Sequence, residues 1–278
     1  MEQAMYSQIP MRTWRWLGVN GKPLPQGVGE EIKKDVLQIA TGEEKQAVIV
    51  YRGERRAEVN IELAAEAKLN LTVVQLVPDD MPHAGEIHAR LAKGADLQAT
   101  IIEAGSKESV SKLLVELEGD EATTDIAALY FGDKKRSHDL NYVIRQQGKA
   151  TNATMNVKGA LMDQAEKTFR GTLDFIQGAK GSVGHEDETV ILLSSKVRNR
   201  SIPLMLSGEG DVDGHHAVSI GKMDEAKLFY LMSRGLNLKE ARRLVVEAAF
   251  HPVINRIPNE ALRAETQDHI ERRIDDVD

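Results

Sequence analysis

The sequence predicts a mainly β fold, a strand-rich solenoid core followed by a small C-terminal all-helical domain, and three observations predict it. From about Thr41 to Val212, apolar and polar residues alternate in short runs broken by Gly, Asp, Asn and Lys, the pattern of half-buried strands. The connectors in this stretch lack the Asn-Gly and Asp-Gly pairs of tight hairpins, which disfavours a meander. After Asp213 the apolar period becomes helical. Two strands per rung and about 24 residues per rung would give about seven rungs, a rod of roughly 30–35 Å at about 4.8 Å per rung. Alternation looks the same in a β-sandwich or an open barrel, so the residues alone leave those open.

The elements follow in order. Residues 1–40 read as an N-terminal arm that packs by Trp14 and Trp16, with a short helix over Glu30–Ile39 because Ile32, Val36 and Ile39 lie at spacings of 4 and 3. Residues 41–212 form the solenoid. Its expected strands are Ala47–Tyr51, Ala57–Leu63, Leu69–Val77, Glu86–Leu91, Leu97–Glu103, Lys112–Leu117, Thr124–Phe131, His138–Ile144, Thr151–Val157, Thr168–Ile176, Glu188–Leu193 and Ile202–Leu206. Residues 213–278 form the helical domain. Asp224 caps a helix that carries Leu228, Leu231 and Met232 and stops at Gly235. Asn237 and Glu240 form a capping box for a second helix, which Pro252 ends, and a third starts near Pro258–Asn259.

Composition excludes several function classes. With 36 Lys and Arg against 43 Asp and Glu, the net charge of −7 argues against affinity by phosphate neutralisation, so no nucleic-acid partner is expected. Without cysteine the chain alone cannot build a disulfide, a thiolate zinc site, a cysteine nucleophile or a Cys-ligated cluster. The first twenty residues hold no signal-type apolar run and no stretch is long and apolar enough to span a membrane; the expectation is a cytoplasmic protein without a membrane partner.

The motif candidates are few. Gly178-Ala-Lys-Gly-Ser-Val-Gly184 places its lysine before the second glycine, whereas a P-loop needs Gly-Lys-Ser/Thr opening a helix; it reads as a glycine-rich connector. Gly18-Val-Asn-Gly-Lys22 is followed at once by Pro23. No Gly-x-Ser-x-Gly elbow is present, and with neither a nucleotide-binding nor a nucleophile motif the chain is expected not to be an enzyme. His83 and His88 stand five apart, which fits neither one helix face nor one strand face, and a surface role is expected. His185-Glu-Asp-Glu188 reads as a charged connector opening a strand. His215-His216 lies where strands give way to helices, and adjacent strand residues face opposite ways, so only one of the pair can join a given site.

The stretch from Gly210, GDVDGHHAVSIGKMDEAKLFYLMSRGLNLKEARRLVVEAAF, resembles the C-terminal signature of the SufB/SufD family of iron–sulfur cluster assembly scaffold proteins. The similarity extends back through Gly178–Leu206. It implies a right-handed parallel β-helix, dimerisation through that helix with a SufB-like subunit or a second copy, and C-terminal helices that dock a SufC-like ABC ATPase. By position, the interface histidine of SufD-type members falls on His216. The cysteine of SufB-type members falls at or near Glu188, and their glutamate after the histidine falls on Ala217. The resemblance therefore implies a SufD-like member that binds no cofactor or metal tightly by itself, a transient iron–sulfur cluster forming only in the assembled complex. Leu228, Phe229, Tyr230, Leu231 and Met232 form too continuous an apolar run for one buried stripe and, with Arg234, are the expected ATPase-binding surface. The competing readings are a β-helix interaction protein that assembles nothing and a β-helix enzyme acting on carbohydrate.

Overall fold

A computed structural model describes residues 5–10 and 15–275. A two-stranded antiparallel hairpin, β1 (Met5–Gln8) and β2 (Gly21–Pro23), opens the chain around a single 3₁₀ turn at Arg15–Leu17. Then follow β3 (Lys33–Ile39), β4 (Glu44–Tyr51), β5 (Arg56–Leu63), β6 (Lys68–Gln75), β7 (Pro82–Leu91), β8 (Asp96–Glu103) and β9 (Glu108–Leu117). They continue through β10 (Thr123–Gly132), β11 (Ser137–Gln146), β12 (Asn152–Leu161), β13 (Glu166–Phe175), β14 (Ser182–Leu192), β15 (Arg198–Ser207) and β16 (Val212–Lys222). Three helices close the chain: α1 (Glu225–Ser233), α2 (Leu238–Ile254) and α3 (Glu260–Asp275).

From β3 onward the odd strands form one seven-stranded sheet and the even strands a second. Every neighbour pair within them is parallel. Each strand therefore pairs with the next but one, and the chain winds as a parallel β-solenoid of about six turns, not a sandwich or barrel. The rung is 24 residues at the start, where Lys33 lies beside Ala57, and 32 at the end, where Thr168 lies beside Arg200. It lengthens because the strands grow from 7 residues in β3 to 11 in β16, which is why no strict repeat is visible.

The corners explain how rungs stack. After β3, β5, β7, β9, β11 and β13 the backbone turns through a left-handed residue: Gly42, Glu66, Gly94, Glu121, Ala150 and Gly181. The N–H of each donates to a carbonyl in the corner of the next rung: Gly42 to Ala65, Glu66 to Lys93, Gly94 to Asp120, Glu121 to Lys149, Ala150 to Lys180 and Gly181 to Asp211. The hydrogen-bond ladder thus runs on through the corners, which satisfies backbone groups that a loop would otherwise leave to water.

Between the sheets lies an aliphatic core that includes Ile61, Leu69, Leu71, Leu91, Leu97 and Ile101. The outer face of the even sheet is apolar too. Val74, Ile102, Leu129 and Phe131 pack under Val246, Phe250, Val253 and Ile254 of α2 and Ile270 and Ile274 of α3. Charged staples fix the helices there: Arg273 to buried Asp133, Arg256 to Asp125 at 2.8 Å and Arg52 to Glu265 at 2.5 Å. The arm places Ile9 and Val19 on Ile202 and Leu204 of β15.

Three local expectations are corrected. The segment expected as a helix over Glu30–Ile39 is strand β3 from Lys33: Leu37 and Ile39 alternate into the interior while pairing with β5 fixes the backbone, and Val36 points to solvent. Tertiary pairing overrides the local spacing. Trp16 is 95% exposed, while Trp14 lies outside the described residues. Pro252 does not end α2, because burial of Val253 and Ile254 beyond it holds the last residues helical despite the missing N–H. The caps at Asp224 and Asn237 form as the sequence suggests, the second with a full capping box, and Leu262 N–H donates to Asn259 at 2.9 Å.

Candidate functional site

The solenoid ends in two edge strands, β15 and β16, each paired on one side only. Parallel register puts paired residues on the same face, so the inward column of β14, Glu186 and Glu188, continues into His216 and Val218 of β16. His216 forms the exposed lip of the interior. His215 turns outward, with its ring stacked on His185 at 4.8 Å and 5° and its Nε2 donating to Asp213 at 2.8 Å.

Beneath the lip the interior becomes polar. Glu188 is fully buried: the Tyr130 hydroxyl donates to its Oε1 at 2.9 Å, and the Lys167 ammonium donates to the same oxygen. Lys167, also fully buried, reaches Ser201 Oγ at 3.0 Å and the Arg200 carbonyl at 3.3 Å, and sits over the Tyr130 and Phe169 rings. Burial pushes its ammonium down to about 8, opposed by the Glu188 carboxylate. Glu186 is 2% exposed and neither oxygen has a hydrogen-bond partner among the described residues. Burial, helped by the Glu188 charge, pushes it up to about 8.

Two glycines in strand interiors make room. A Cβ at Gly159 would overlap the Tyr130 ring, and one at Gly171 would overlap the Glu186 carboxyl. Tyr130 lies across Gly159 on the neighbouring strand to reach Glu188, two strands on. Earlier rungs carry smaller polar insertions. Glu103 accepts from Ser109 at 3.2 Å, and burial pushes it up to about 7; His138 is driven down to about 4 by burial and the nearby Arg273 and Arg136.

The sequence expectations fall unevenly on this geometry. His185–Glu188 is not a connector but the middle of β14, with both glutamates buried. His83 is buried rather than on the surface, its Nδ1 bonding the Glu54 carbonyl at 2.7 Å, and His88 pairs with Glu116 at 2.7 Å. Glu188 and His216 share the inner face, and Ala217 faces away from both. Tyr130 and Lys167 escaped notice, and Glu186 entered only within the charged stretch His185–Glu188; the available signals were a lysine and glutamates at inward positions of otherwise apolar strands and the interior glycines 159 and 171. Among the described residues no group of three or more imidazoles or carboxylates is placed to hold a metal ion, and no helix is long and apolar enough to cross a membrane.

The second region of interest is α1, which buries no residue. Phe229 is 76% and Tyr230 56% exposed, Met232 is also exposed, Leu228 and Leu231 are half-buried, and the Arg234 guanidinium stacks on Tyr230 at 5.2 Å. Leu238 and Leu244 of α2 are exposed as well.

Comparison with known proteins gives the context. The family described as "SUF system FeS cluster assembly, SufBD core domain" matches residues 33–249. The iron–sulfur cluster assembly protein SufD of Bacillus subtilis is 31% identical over 167 residues, which covers 60% of this chain and 38% of that protein. Iron–sulfur cluster assembly SufBD family proteins of Pyrococcus horikoshii and Mycobacterium leprae are each 29% identical, covering 71% and 80% of this chain and 44% and 59% of their own length. The chain thus spans less than two thirds of each of these relatives. The match takes in the strands from β3 to β16 and most of α2, and on it the chain belongs to the SufBD core family of the SUF iron–sulfur cluster assembly system.

Proposed function

We propose that this chain is a scaffold subunit of an iron–sulfur cluster assembly complex, that it docks a SufC-like ABC ATPase through α1, and that it joins a SufB-like subunit or a second copy through the open end of the solenoid. The observation that carries the reading is the family match over residues 33–249, which includes both the His216 edge and the exposed helix. An edge strand with unpaired N–H and C=O groups invites a further strand, and a two-fold partner would continue both sheets. The ATPase supplies the free energy, α1 is the handle, and the lip presents His216 to a partner that brings the thiolates this cysteine-free chain lacks. The subunit itself catalyses nothing and retains no cluster when separated.

Pull-down of the ATPase by Phe229→Glu and Met232→Glu proteins tests the handle. Both should lose the ATPase while stability stays within about 1 kcal/mol of the unmodified chain, since both side chains are exposed; retained binding would place the handle elsewhere. In anaerobic cluster reconstitution with the co-purified partners, His216→Ala should lose activity and His215→Ala should lose less.

A further inference from the structure

We propose that the tip of the N-terminal hairpin, Trp16 with Leu17, is an anchor for a second copy of this chain that joins the β15 edge. Pairing at that edge rests on the assembly reading above; the part played by the hairpin rests on its path. The outgoing and returning chains both cross the outer face of the odd sheet, and their contacts mark the way. Tyr6 lies against Arg56 of β5 and Lys112 of β9. Asn141 of β11 donates to the Gln8 carbonyl at 3.1 Å, the buried Arg170 of β13 donates to the Val19 carbonyl, and Ile9 and Val19 rest on Ile202 and Leu204 of β15. On the way back Lys22 pairs with Glu108 of β9 at 2.8 Å, and Arg55, beside β5, donates to the Gly27 carbonyl at 2.9 Å before the chain enters β3. The arm thus runs the length of the solenoid and turns at its last odd strand.

Three observations give that turn a use. Trp16 is 95% and Leu17 66% exposed, although Ile9 and Val19 on either side of them are buried. Tryptophan is on average a highly buried residue and is among those most enriched at interface hot spots. The tip stands at a strand paired on one side only, and a strand added there would lie about 4.8 Å beyond β15, continuing the face that Ile9 and Val19 already cover. Finally, β15 carries Pro203, which has no N–H to offer an added strand, so side-chain contact has to supplement the main-chain ladder at this edge.

A second copy suits the tip. A two-fold axis normal to the sheets sets β15 antiparallel to its copy and keeps both outer faces on one side. Each tip then comes onto the face that carries the copy's own hairpin and its half-buried Leu206, which shares the outward side of β15 with Ile202 and Leu204. Apolar tip meets apolar face, and each copy gives one anchor and receives one.

The chain has two tryptophans, so a Trp14→Phe protein reports on Trp16 alone. Its fluorescence is followed beside sedimentation equilibrium of the full chain up to about 100 µM. The expected result is a blue shift of Trp16 emission in step with dimer formation. Trp16→Ala should raise the dimer dissociation constant about tenfold or more, Leu17→Ala less, and Phe229→Glu on α1 should leave it unchanged. Both tip side chains are exposed, so the melting temperature of the dilute monomer should not move in their variants. A dimer of unchanged strength in Trp16→Ala overturns the anchor and leaves edge pairing standing. Tighter association of that variant, the mark of a tip that obstructs the edge, overturns the anchor too. No self-association of the unmodified chain overturns the second copy as occupant. Pull-down of a SufB-like subunit on the same samples then decides the assembly reading, which stands if that subunit binds and falls if it does not.

Discussion

The interior of the solenoid differs between its two ends. In the early rungs Val59, Ile61 and Leu63 of β5 and Leu69, Leu71 and Val73 of β6 fill the space with aliphatic side chains. In the late rungs the columns of Leu71 and Val73 reach Glu186 and Glu188, and Tyr130 and Lys167 point into the same interior from β10 and β13. The backbone and ladder are alike at both ends, so geometry does not require the polar groups. A buried ion pair is seldom more stabilising than well-packed apolar residues of the same volume. The difference teaches that the early rungs supply stability, while the late rungs give some of it up to place charge beneath the terminal edge strands.

Breaking the pair should have the largest effect. Glu188→Ala leaves the Lys167 ammonium buried without its carboxylate and should cost about 4 kcal/mol in urea unfolding, while replacing both Lys167 and Glu188 by Met should recover most of that. If the double change is as damaging as the single one, the late rungs depend on the pair for stability and the contrast fails. Leu71→Ala, in the early rungs, should cost about 3 kcal/mol through lost transfer energy and a cavity.

A third test sharpens the contrast through pH. Glu186 sits at about 8 in the folded chain against 4.5 ordinarily, so between these values the folded state keeps a proton that the unfolded state sheds. Stability should therefore fall as pH rises through this window, by no more than about 1.4 kcal/mol per unit for one proton. Glu186→Gln should flatten that slope in denaturation measured from pH 5 to 8, and an unchanged slope would assign it to another group. The smallest effect belongs to the corners common to both ends: Ala150→Gly should stabilise by about 1 kcal/mol, because the exposed alanine is held at φ 53°.

Much of this architecture was legible in the sequence, and the rest was hidden for physical reasons. Alternation located the strands from β4 to β15 because one face of each meets an apolar interior, and the capping residues located the helices. The solenoid repeat was obscured because its most regular feature, the left-handed corner residue, is glycine at 42, 94 and 181 but Glu66, Glu121 and Ala150 elsewhere. Strand β3 was mistaken because Ile32, Val36 and Ile39 satisfy a helical spacing, and only the neighbouring rung decides the matter. At the site, the resemblance supplied His216 and Glu188, but burial of Lys167, Glu186 and Glu188 follows from inward register, which charge patterns alone read as solvated surface.

The unbroken ladder through the corners makes the molecule grow like a one-dimensional crystal. Each rung is the template on which the next is laid, and within each sheet an inner strand pairs with its two neighbours alone. Such a lattice has only two growth faces. At the last of them, β15 and β16 present a finished layer with no successor, and a chain adding there meets the same hydrogen-bond pattern that every earlier rung met within the molecule. Under the assembly proposed above, recruiting a partner at that face is a further step of the process that folds the protein.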